Sequence, residues 1–163
     1  MPAMEFGHLV QINDPGNPAI EPLTRRQLWQ GLVVRAERPS YFLIGLDECR
    51  ILERRGNVLE RLLRFGALQV RDRVTLDPPR RVQFDVEPYA GLSGARLVIG
   101  IEEPQPGQLF LRFEYALQWD AGTVDPELDE YRKSAYREAD IDTVRMIRQL
   151  AASGLLSGDE PRH

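Results

Sequence analysis

Cysteine and lysine are each present once in this 163-residue chain, as Cys49 and Lys133. One cysteine leaves no internal disulfide and no cysteine-based zinc cluster. Histidine occurs only at His8 and His163, too few for a histidine metal site, so no metal is expected. No apolar run approaches the roughly 18 residues that would span a bilayer. The N-terminus shows no basic segment followed by a hydrophobic one, so no signal peptide is read, and a cytoplasmic location is expected. Positive charge is not in excess either. The formal net charge is −4, which argues against a nucleic-acid binder held by phosphate contacts. Arg64 to Asp85 is rich in arginine, but Asp72, Asp77 and Asp85 alternate with it as on a solvated sheet face. What remains is an ordinary globular composition, 42% hydrophobic and 28% charged, long enough for one domain with a sizeable core.

The hydrophobic pattern divides the chain into strands and two helical regions. "EFGHLVQIN" (residues 5–13) alternates with Phe6, His8, Val10 and Ile12 on one face, and "DPGNP" breaks it. Thr24 is a natural N-cap for "RRQLWQGLVVRAE", where Leu28, Trp29, Leu32 and Val33 recur at helical spacing, and Pro39 stops it. "YFLIGL" (41–46) reads as a short helix or turn. From Cys49 onward, period-two segments follow one another at hairpin distances. They are "CRILERR", "VLERLLRFG", "LQVRDRVTL", "RVQFDVEPY", "ARLVIGIEE" and "LFLRFEYALQW". An antiparallel meander with one buried and one wet face is implied.

The period then changes to helical. Asp125 as N-cap, Pro126 at the first helical position and acids in the first turn open a helix expected to reach Gly154. Leu128, Tyr131, Ala135, Ala139, Met146 and Leu150 make one stripe, expected to face the sheet. Ile141, Val144 and Ile147 make a second apolar patch, a possible homodimer contact. The expected architecture is α+β, a curved antiparallel sheet of about seven strands wrapped around a long C-terminal helix, with short helices after the first strand. The domain is expected over residues 4–154, with 155–163 as a flexible tail.

This order of elements resembles the START/Bet v 1-like superfamily, the helix-grip fold also called the polyketide cyclase and lipid-transport group. "HLVQINDPGNPAIEPLTRRQLWQGLVVRAERPSYFLIGLDECRILER" and "KSAYREADIDTVRMIR" are similar to its AtaL-like subfamily, the "INDP", "PLTR-QLW" and "GL-EC" pieces most of all. The resemblance implies the fold and a cavity, with no catalytic residues to carry over.

Strand alternation nominates the cavity wall. His8, Arg61, Asp72 and Tyr115 interrupt otherwise apolar strand faces. Trp29, Phe65, Phe84 and Phe113 add apolar surface, and Tyr131 and Asp142 fall on or beside the helix stripe. Asp72 is the informative residue, because a charge on a buried face is costly unless paired or used. Either Arg61 pairs with it across adjacent strands, or it is a cavity group. Other chemistries are poorly supported: "GLSGAR" is a hairpin turn rather than a phosphate loop, and no serine has a nucleophile elbow. Cys49 reads as a small buried hydrophobe. The acid pairs Glu102-Glu103 and Asp140/Asp142 read as a solvated edge and a helix face. No cofactor is expected. The pattern favours a binder of a hydrophobic small molecule. A cyclase, aromatase or dehydratase using Asp72 or His8 is the alternative, and a protein-interaction or co-chaperone module using the second helix patch is a third.

Overall fold

In the computed structural model, which describes residues 3–119 and 126–156, the chain forms one sheet and two α-helices. Strand β1 (Ala3–Asn13) is followed by α1 (Arg25–Glu37) and a 3-10 turn at Pro39–Tyr41. The meander comprises β2 (Glu48–Arg55), β3 (Val58–Phe65), β4 (Leu68–Asp77), β5 (Arg81–Val86), β6 (Leu92–Glu102) and β7 (Leu109–Trp119). Helix α2 (Pro126–Ala152) closes the order. Sheet order is β1-β7-β6-β5-β4-β3-β2, every pairing antiparallel, so β1 adds to the far end of the meander. The expected helix-grip architecture and strand count are those observed. Asp125 and residues 157–163 of the expected tail lie outside the described residues. Leu156 is buried, and Leu155 N–H bonds back to the Leu150 carbonyl, so packing continues to that point.

Except for β2, which is exposed along nearly its whole length, the strands follow their alternation. Along β7, Leu109, Leu111, Phe113, Tyr115, Leu117 and Trp119 are all buried while the residues between them are partly or fully exposed. Tight turns fix the register: Gly56 adopts φ +57 between β2 and β3, a left-handed conformation that glycine takes without a Cβ clash. Register shifts at Gln11/Asn13, Ile51/Glu53 and Leu92/Gly94 add local twist, which helps the sheet curl.

Thr24 caps α1 as expected, in a reciprocal capping box. Its hydroxyl accepts from Gln27 N–H at 3.0 Å, and Gln27 Oε1 accepts from Thr24 N–H at 2.9 Å. The helix buries Leu28, Gly31, Leu32 and Ala36. Position 35 also falls on that stripe, at the i+7 site from Leu28, and it is an arginine. The loop before α1 is tied down by buried Asn13, whose side chain donates to the Leu23 carbonyl at 2.7 Å and accepts from Leu23 N–H at 2.9 Å. Arg148 of α2 donates to the Glu21 carbonyl at 2.8 Å and to the Ile12 carbonyl, joining helix, loop and strand.

Helix α2 turns a different face to the core from the one its first turns suggest. Leu128 and Tyr131 are exposed, Tyr131 at 72%, and Ala135 and Ala139 are exposed too. The buried residues are Asp140, Thr143, Val144, Ile147 and Leu150. Val144 and Ile147, expected to form a second patch available to another subunit, are therefore core residues of the same chain; Ile141 alone stays exposed. Their partner is α1. A Cβ on Gly31 would stand 2.7 Å from Ile147 Cγ2, so only glycine allows this approach of the two helices. The second apolar side of α2 is satisfied within the monomer, which removes the basis for the expected homodimer and for a co-chaperone surface.

Candidate ligand cavity

Between the concave face of the sheet and α2 lies a cavity of about 290 Å³. Its wall is mainly apolar, with Leu63, Val70, Phe84, Leu97 and Leu117 from five successive strands. Among the residues expected to form a site, Arg61, Phe65, Asp72, Phe84 and Tyr115 line this cavity. His8, Trp29, Phe113, Tyr131 and Asp142 do not. Phe113 is fully buried, Trp29 packs against the core from α1, and Tyr131 faces outward. Asp142 forms an exposed ion pair with Arg145 at 2.7 Å. His8 stands one layer behind the wall.

Asp72 is paired. Arg61 and Asp72 are direct cross-strand partners in the β3–β4 register, and their side chains are 4% and 5% exposed. Arg61 Nε donates to Asp72 Oδ1 at 2.8 Å and Nη2 to Oδ2 at 2.5 Å. Nη1 donates to the Ala36 carbonyl at 2.8 Å, near the C-terminus of α1 where helix carbonyls lack an internal partner. This fork-to-fork geometry satisfies all three nitrogens of Arg61 and both oxygens of Asp72. The flanking Arg71 and Arg73 point outward toward Glu87 and Glu60, at 3.9 and 2.7 Å.

The second polar group on the wall was read as a solvated helix position. Asp140, 1% exposed, points from α2 into the sheet. Tyr115 donates its hydroxyl to Asp140, 2.7 Å from Oδ1 and 2.9 Å from Oδ2, and His8 Nε2 lies 2.6 Å from Oδ2. Burial pushes the Asp140 carboxyl above its ordinary range, against the bonds from His8 and Tyr115 that favour the anion. Burial and the neighbouring Asp140 charge raise the Tyr115 pKa strongly, so it stays a donor. The Tyr115 ring stacks on Tyr136 at 4.3 Å, while His8 lies between Phe6 and Phe113 at 5.5 and 5.4 Å. Tyr115 and Asp140 face the cavity, and the His8 side chain retains 14% exposure, so the three form a hydrogen-bonded path from the cavity wall toward solvent.

Arg35 is the third polar group. Its guanidinium carbon sits 5.0 Å from the Phe84 ring centroid, and that of Arg61 sits 5.4 Å from the same ring. Burial lowers its pKa, opposed by Tyr115 and Asp140. Asp140 was read as part of a helix face, and Arg35 was not singled out at all. The available signal was position: each sits on the buried stripe of its helix.

The family follows from a comparison of the sequence with known families. The model described as "AtaL: Acetylaranotin biosynthesis cluster protein L" matches residues 10–154. The chain belongs to the AtaL family. None of the curated proteins matches this AtaL family member. Its fold is similar to that of the di-domain aromatase/cyclase StfQ from the steffimycin biosynthetic pathway. There the TM-score is 0.72 at 11% identity, over 94% of this chain and 52% of that one. The AtaL chain thus spans about half the length of that protein. It is also similar to the Zhui aromatase/cyclase from Streptomyces sp. R1128, with TM-score 0.65 and 12% identity over 90% and 92% of the two chains. Ara h 8.0201 gives TM-score 0.65 at 11% identity, over 93% and 99%. At these identities the likeness concerns the fold. Among the described residues no helix is long and apolar enough to cross a membrane.

Proposed function

We propose that this AtaL family member binds a hydrophobic small molecule, of lipid, aromatic or polyketide-like type, in the cavity between the sheet and α2. The carrying observation is the cavity itself: about 290 Å³ of space behind a mainly apolar wall, with a few polar groups held in fixed positions. That is the lower edge of the roughly 300–1,000 Å³ usual for small-molecule sites. The fold shared with two aromatase/cyclases supports the reading, since the same scaffold there belongs to proteins so described. Thermal-shift and native mass-spectrometry screening against fatty acids and aromatic polyketides tests it. Saturable one-to-one binding, abolished when Ala95→Trp fills the cavity, is the expected result. No binder, or binding indifferent to that substitution, overturns the reading.

A second reading, an acid–base catalyst on the same cavity, is favoured by the Tyr115–Asp140–His8 path. Asp72, the carboxylate expected to serve, is locked to Arg61 through both of its oxygens. Asp140 instead combines a raised pKa, a place on the wall and a histidine nitrogen 2.6 Å from its Oδ2. With a ligand from the screen, this reading expects loss of water or a cyclised product over time. It expects Asp140→Asn to stop that change while binding persists.

A further inference from the structure

Every charged side chain on the cavity wall is engaged except one. Arg61 is held by Asp72 and the Ala36 carbonyl, and Arg96 by Asp85 at 2.8 Å. Both oxygens of Asp140 receive hydrogen bonds, from Tyr115 and His8. Among the charged side chains that line the cavity, Arg35 alone makes no hydrogen bond and no ion pair, and its Nε is enclosed without a partner. An arginine cannot discard its charge, and an enclosed N–H without an acceptor is costly, so this group stands as an unfilled demand for an anionic oxygen.

Its position is as informative as its lack of partners. Arg35, Leu43, Phe65 and Ala139 line the cavity and also an outer cleft of about 430 Å³ beyond it. That cleft is bounded by the segment after α1, including Phe42 and Ile44, and by Asp142 and Met146 of α2. Arg35 therefore stands at the threshold between the two spaces, its guanidinium braced on Phe84. Deeper in, the wall is apolar along Leu97 and Leu117, with Tyr115 and Asp140 on one side.

Building on the cavity-binding reading, we infer that Arg35 is the ligand's anchor, and that the ligand is an apolar molecule bearing one acidic oxygen group, a carboxylate or acidic phenol. The acidic group takes the guanidinium fork at the threshold, and the apolar body lies inward against Phe84 and Leu97. A neutral hydrocarbon leaves Arg35 unpaired. A cation is repelled by it.

A matched pair of fluorescent probes tests this: 1-anilinonaphthalene-8-sulfonate, which carries an anionic oxygen group, and N-phenyl-1-naphthylamine, the same skeleton without it. Charge-assisted bonds to a buried guanidinium predict that Arg35→Met weakens the sulfonate by about tenfold or more and changes the neutral probe less than about threefold. Arg35→Lys recovers part of the loss. Because Arg35 makes no hydrogen bond or ion pair with a described residue, Arg35→Met gives up only the contact with Phe84. It is expected to melt close to the parent chain, which separates lost recognition from lost fold. If Arg35→Met weakens both probes alike, or neither, the assignment of Arg35 is overturned while cavity binding stands. If neither probe binds the parent chain, or Ala95→Trp leaves both bound, the cavity reading fails and this inference with it.

Discussion

Removing the Asp72 carboxylate tests whether the charge in β4 is structural. In Asp72→Ala the Arg61 guanidinium keeps its place between β3 and α1, almost without water, and loses two of its three acceptors. Breaking a buried pair by deleting one partner costs about 3–5 kcal/mol, most of it the uncompensated charge left behind. For a domain of this size that lowers Tm by roughly 2–4 °C per kcal/mol, on the order of 10 °C in all. Deleting both charges with Arg61→Met and Asp72→Leu is expected to be near neutral. The desolvation of two ions disappears, and the main residual loss is the bond to the Ala36 carbonyl, about 1 kcal/mol. Urea denaturation of the four members of this cycle, read at constant m-value, gives the coupling energy. A single variant that loses less than about 1 kcal/mol, or a double variant as unstable as the single one, refutes the structural account. So does a stable double variant that no longer binds a cavity ligand, since Asp72 would then serve the ligand.

The Asp140 carboxyl has a raised pKa in the fold, so below the ordinary carboxyl value of 3.8 its contribution to stability is fully present. As pH rises from there through the raised value, the unfolded chain releases its proton first and stability falls; Asp140→Asn, neutral throughout, flattens that part of a pH–stability profile, and an unchanged slope counts against it. Tyr115→Phe removes a buried donor from Asp140 and is expected to cost about 1–3 kcal/mol. Tyrosinate absorbance should show one residue that ionises only with unfolding, and a normal titration of every tyrosine contradicts this. Ile147→Ala, at a fully buried site against Gly31, is expected to lose about 2–5 kcal/mol with no change in sedimentation; a shift in oligomeric state instead reinstates the dimer contact.

Strands β3 to β7 were legible because each has one wetter face, and alternation reports it directly; β2, exposed along nearly its whole length, is the exception. Even the Arg61–Asp72 contact can be counted out: Gly66 and Ala67 form the turn, and the two residues stand equally far from it on either side. The long helix was harder. Its first turns carry Leu128 and Tyr131, exposed in the fold, and those apolar residues pulled the expected stripe around the wheel. Its true inner face includes Asp140 and Thr143, which lower the apolar score of that side. Hydrophobic periodicity fails where the fold places polar groups inward on purpose, and in this chain those places, Arg35 and Asp140, make the cavity more than a void.

The glycine at position 31 bears on how any molecule reaches that cavity. With Ile147 seated against its backbone, α1 cannot slide along α2 without unseating a filled core position, so that side of the opening is held at constant width. The neighbouring segment is built differently: Phe42 packs against the core and bonds back to the Pro39 carbonyl, while Ile44 beyond it is 97% exposed. Under the proposed binding role, Ile44 at that exposed tip is among the first residues an entering ligand meets at the outer cleft, ahead of the interior.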